Sequence, residues 1–67
     1  MNTNKLKGRM TEMEITAVDL AKQMHISPSA FYRKMQRNGK TFNLGEIMEM
    51  KEILKMDDKT AVEILLA

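Results

Sequence analysis

The stretch "DLAKQMHISPSAFYRKM", residues 19–35, decides the fold. Leu20 and Met24 are spaced for one face of a short helix, and Phe31 and Met35 for one face of another. Only His25-Ile26-Ser27 stands between Met24 and Pro28. Both helix starts are marked. Thr16 is placed to cap the earlier helix, with Ile15 and Leu20 as a hydrophobic staple and Asp19 positioned to reach back to the Thr16 N–H. Ser27 repeats the device with Ile26 and Phe31 as staple, and Pro28 occupies the first turn, where its missing N–H is no loss. A link this short does not fold two helices back antiparallel. It crosses them at roughly 90–120°, the geometry of a helix-turn-helix, and leaves the second projecting from the body.

Working outward, helical spacing persists and no stretch alternates like a strand. Leu6, Met10 and Met13 form a stripe before the corner. Leu44, Ile47, Met50 and Leu54 form another after it, followed by Ala61, Ile64 and Leu65. Asn43 is a further cap, with Glu46 closing its box and Phe42 and Ile47 as staple; Asp57 caps the last segment. The pattern predicts five helices, near 4–13, 17–24, 28–36, 44–54 and 58–66, in one domain over residues 1–67 with the corner motif at about 16–36. Gly39 ends the third helical region and opens the "NGKTF" loop. Gly8 and Gly45 fall inside helical patterns, where close backbone approach would account for them.

The composition excludes several classes. With no cysteine and one histidine in 67 residues, disulfides and thiolate metal sites are ruled out and no metal is expected. No apolar run approaches the roughly 18 residues of a membrane span, and a soluble cytoplasmic protein with no membrane association is expected. The eight methionines read as adaptable core filler. Ser29 and Tyr32 lack a second histidine or paired acid to activate them, so no catalytic residue and no enzyme is expected. The acidic run "GEIMEMKE" reads as a solvated face.

Charge is unevenly spread. Residues 1–42 hold eight basic side chains against three acids, residues 43–67 three against six, and Ser27 to Phe42 holds four basic residues and no acid. One end of the molecule should attract polyanions and the other repel them.

Over "ITAVDLAKQMHISPSAFYRKM" the chain resembles the lambda-repressor-like helix-turn-helix family that includes Cro and the xenobiotic-response-element (XRE) regulators. Ile15-Thr16 matches the apolar-plus-cap entry, Leu20-Ala21 the core pair with a small residue at the helix crossing, Ser27 the cap of the second helix and Phe31 its anchor. "GKTFNLGEIMEMKEILKMDDKTAVEIL" is similar to the tail of small phage-type members. Two positions depart from the pattern. His25 stands where the family usually has Gly at φ > 0, a conformation that His tolerates better than most residues. Lys34 stands where many members carry an apolar side chain, with Met35 taking over that contact.

The resemblance implies an all-α, five-helix lambda-repressor-like domain that binds double-stranded DNA and regulates transcription, Cro-like or repressor-like, from a phage or mobile element. It places Pro28, Ser29, Tyr32, Arg33 and Gln36 toward the major groove. Arg33 suits guanine O6 and N7, Ser29 several base edges and Pro28 a thymine methyl, while Tyr32 reaches a base or a phosphate. Phosphate contacts would come from Thr16, Lys22, Ser27, Lys34, Arg37, Asn38 and Lys40. A homodimer, at least on DNA, follows from the need for two half-sites. The apolar "AVEILLA" end offers Val62, Leu65 and Leu66 as its contact. No cofactor or small-molecule ligand is expected. The alternatives are a helical protein-interaction module and a DNA-architectural or excision accessory protein on the same fold.

Overall fold

The computed structural model of residues 1–67 is all-helical. Its five helices are α1 (Thr3–Glu12), α2 (Ala17–Gln23), α3 (Pro28–Gln36), α4 (Leu44–Ile53) and α5 (Asp58–Leu65). All five begin on a side chain that accepts the backbone N–H three residues on: Asn2, Thr16, Ser27, Asn43 and Asp57. Thr16 and Asn43 belong to reciprocal boxes, in which Asp19 and Glu46 accept the cap residue's own N–H. A cap of this kind contributes about 1 kcal/mol, enough to fix where a seven- to ten-residue helix starts. Asn2, which starts α1 at Thr3, was not anticipated from the sequence.

Four helices also end alike. Glu14, His25, Asn38 and Lys55 adopt φ between 51° and 60°, the left-handed region. Each turns the chain so that two N–H groups return to the helix it leaves. In the α2 exit these are His25 to Lys22 O at 3.1 Å and Ile26 to Ala21 O at 3.0 Å; the other three exits repeat the pattern. This is the Schellman termination, which satisfies carbonyls the helix would otherwise leave open. After α1, α2 and α4 the C-cap residue is followed by three more before the next helix: one left-handed, one apolar, one cap. These are Glu14-Ile15-Thr16, His25-Ile26-Ser27 and Lys55-Met56-Asp57.

One core joins all the helices: Leu6 and Met10 of α1, Leu20 and Ala21 of α2 with Met24 at its end, Phe31 of α3, Met50 of α4 with Leu54 at its end, Ala61, Ile64 and Leu65 of α5, and Phe42 and Met56 from the links. Two polar ties hold α1 on the far helices. The Asn2 N–H donates to Ile64 O at 2.8 Å. The Arg9 guanidinium donates to Leu54 O at 3.0 Å and Lys55 O at 2.8 Å, placing a cation on the carbonyl end of α4.

Three expectations are corrected. Leu44 is 70% exposed rather than inward. The buried positions of α4 are Glu46 and Met50, and Leu44 lies about 200° round the helix from Glu46 at 3.6 residues per turn. The acidic run is therefore no uniform solvated face, because Glu46 is buried. At Gly8 a Cβ would meet nothing within 4 Å, so no close approach explains that glycine.

Opposite substitutions should stabilise the middle of α1 and the turn that follows it. Gly8→Ala should add about 1 kcal/mol through helix propensity. Glu14→Gly should add about 0.5–1 kcal/mol by relieving a left-handed non-glycine residue. Gly39→Ala should cost about 1–2 kcal/mol, because Gly39 has φ +71° and its Cβ would overlap the Met1 side chain. Urea unfolding of the three variants checks all three signs.

Candidate nucleic-acid interface

The pairing of α2 with α3 rests on small and apolar groups. Ala21 is wholly buried at the crossing, Leu20 and Met24 lie beside it, and Ile26 packs on the core from the link. Phe31, 1% exposed, is the anchor of α3. Its ring meets Tyr32 edge-on with centroids 6.3 Å apart and tilts against Phe42 at 5.7 Å.

The opposite side of α3 is open. Pro28, Ser29, Tyr32, Arg33 and Gln36 are all exposed, and their spacing puts them on one face. Tyr32 is half exposed, backed by Phe31 while its outer part meets solvent. Around this face, Thr16, Lys22, Ser27, Arg37, Asn38 and Lys40 are exposed too. The Thr16 and Ser27 hydroxyl oxygens accept cap bonds from Asp19 and Ala30, which leaves each O–H free to donate outward. The chain's ion pairs are Arg9–Glu12, Lys34–Glu46 and Lys51–Asp58, so Lys22, Arg33, Arg37 and Lys40 carry unneutralised charge. A guanidinium, a phenol, an amide and a hydroxyl on one face, with no carboxylate among them, suit a polyanion that has hydrogen-bonding edges.

Lys34 is the exception among the expected phosphate contacts. Its ammonium turns inward and donates to both Glu46 oxygens, at 2.8 and 2.9 Å, while sitting 5.5 Å from the centre of the Phe42 ring. The Glu46 carboxylate also accepts the Asn43 N–H at 3.0 Å. Lys34 therefore fastens α3 to the start of α4, with its charge already matched, where the sequence reading had it facing DNA. Burial pushes the Glu46 carboxyl up, but the Lys34 hydrogen bonds, the Asn43 N–H and the Lys34 charge outweigh it and hold the group below its ordinary value. At the start of α5, hydrogen bonds from Thr60 hold Asp57 low as well.

The expected dimer contact is also revised. Leu65 is 3% exposed and belongs to the core, because it shares the inward face of α5 with Ala61 and Ile64. Val62 and Leu66 are exposed, and across from them lie Leu44 and Met48 of α4, which the sequence reading missed. Together they line an apolar groove with the Lys51–Asp58 pair among its walls. A second omission is Lys7 of α1, which borders a cleft beside Tyr32, Met35 and Gln36.

No three metal-binding side chains come together anywhere in the chain, and no helix is long and apolar enough to cross a membrane. No protein-family model, curated protein or solved structure matches this chain.

Glu46 is depressed in the folded state, so its contribution to stability is present above the unfolded carboxyl value and is lost as pH falls through the folded one. Glu46→Gln should cost about 2 kcal/mol at neutral pH. The gap between variant and wild type should close as pH drops below the usual carboxylate range, measured by urea unfolding at stepped pH. A gap that stays constant with pH would show that the Glu46 charge contributes nothing.

Proposed function

We propose that this chain is a sequence-specific, double-stranded-DNA-binding transcriptional regulator in which α2 and α3 act as a helix-turn-helix and α3 enters the major groove. The observation that carries the reading is the open face of α3, free of carboxylates and rimmed by unpaired cations, held out by the short corner after α2. In this reading Arg33 donates a bidentate pair to guanine, Gln36 can pair with adenine N6 and N7, and Ser29 adapts to either. Pro28 and the Tyr32 ring offer apolar contact to a thymine methyl. Lys22, Arg37, Asn38 and Lys40 hold the flanking phosphates with the hydroxyls of Thr16 and Ser27, and these fix register without reading sequence.

Two copies would read two half-sites about 34 Å apart, as two-fold helix-turn-helix proteins do. The α4–α5 groove is the surface best suited to their contact. Its walls carry one charge of each sign, Lys51 and Asp58, so a two-fold contact can set opposite signs against each other. Four exposed apolar side chains fall far short of the roughly 20–30 residues a side of a standard interface. Pairing is thus expected on DNA, where adjacent half-sites raise the effective concentration, and not between free copies. The same groove favours a second reading, a helical protein-interaction module.

Selection of bound duplexes from a random library at about physiological salt tests the proposal. Wild type should enrich a site with two related halves, and Arg33→Ala should bind it roughly 10- to 100-fold more weakly with relaxed choice at one base pair. Leu66→Asp should keep half-site binding and lose cooperativity between halves. No enrichment, together with binding of a protein partner that Leu66→Asp abolishes, would replace this reading with the second.

A further inference from the structure

Lys7 lies on α1, outside the corner. Its side chain is exposed and in no ion pair, while its backbone oxygen accepts the Thr11 hydroxyl at 3.0 Å. It borders two hollows at once. One runs along α3 beside Tyr32, Met35 and Gln36, over a floor that includes Met10 and Phe31. The other opens at the start of α2 beside Thr16 and Ala17. Lys7 thus bridges the edge of the α3 face and the cap of α2. Methionines flank the cleft, and the aliphatic stem of a lysine can lie along such a surface while its ammonium reaches water.

Resting on the DNA-binding reading, we propose that Lys7 is a phosphate-binding residue, which makes α1 the third helix to contact the duplex. A helix seated in a major groove about 12 Å wide has a phosphate backbone along each flank. On the flank that faces α1 and α2, the strand must pass the cleft that Lys7 shares with Gln36 and then the hollow that it shares with Thr16. Glu14 lines that second hollow, and Lys7 is the only cation there. Without Lys7 the one charged side chain lining this hollow would be the Glu14 carboxylate. The contact is to the backbone, so it strengthens binding and sets the tilt of α3 without selecting a base.

The test uses the full chain, the selected duplex and a scrambled duplex of the same length, titrated by fluorescence anisotropy across a range of salt. Lys7→Gln keeps helix propensity and removes one charge; Lys59→Gln, on α5, is the matched control. Lys7→Gln should weaken both duplexes roughly 5- to 10-fold at about 0.1 M salt and lower the log–log salt slope by about 1. Lys59→Gln should leave the slope unchanged. An unchanged slope in Lys7→Gln, or an equal loss in the control, would overturn the assignment and leave DNA binding standing. Wild type that binds neither duplex would overturn the DNA reading itself, and this one with it.

Discussion

When only three residues separate the C-cap of one helix from the start of the next, the first of the three has to turn into the left-handed region. In this chain that demand falls on Glu14, His25 and Lys55, none of them glycine. A left-handed L-residue costs about 1–2 kcal/mol, so each corner has to recover that locally. The means are alike each time. Two N–H groups return to the departing helix, the next residue is apolar and the third caps the helix that follows. The middle residue works in both directions. Ile15, Ile26 and Met56 all join the core, where each can close the helix before it and staple the one after. Links with so little slack fix the crossing angles, and the layout of α1 to α3 and of α4 against α5 follows from them.

The joint between α3 and α4 is made differently. It is longer, running from Asn38 to Asn43 after the Arg37 C-cap, and passes through both Asn38 and Gly39 at positive φ. No single corner sets its angle, so side chains do. Phe42 drops into the core against Phe31, and Lys34 reaches across to Glu46. Those two contacts orient α3 from behind. The ion pair is largely buried, and Glu46 accepts three hydrogen bonds, two from Lys34 and one from the Asn43 N–H, a condition under which a buried charge is tolerated rather than expelled.

Most of the fold was legible because its helix starts are written in side chains. Four of the five caps, both boxes and all five helices can be read from residue type and spacing. Helix ends were less legible because their signal is ordinarily glycine. Glu14 and Lys55 do the same work with side chains that say nothing about it, whereas Asn38 and His25 are residue types that tolerate the conformation. Leu44 and Lys34 misled for a related reason. A helical stripe assumes that apolar means inward, yet α4 puts Glu46 on its inward face, and Lys34 turns in to meet it. No one-dimensional spacing records a pair twelve residues apart across a joint. Lys7 escaped notice because its relation to Tyr32 and Gln36 exists only once α1 has folded against α3.

The two sides of α3 are therefore under different constraints. Inward, Phe31 and Lys34 are each fixed by partners in other elements. Outward, Ser29, Arg33 and Gln36 make no side-chain bond to the rest of the chain. Their replacement leaves the core, the caps and the corner as they are, so the chemistry of this face can vary with little consequence for folding. Ser27 and Thr16 sit between the two regimes. Each spends its oxygen on a helix start and keeps a hydrogen for whatever approaches, so substitution there would disturb fold and surface together. A change in the chemistry of this face without loss of stability is accordingly open to Ser29, Arg33 and Gln36, and closed to the cap residues beside them.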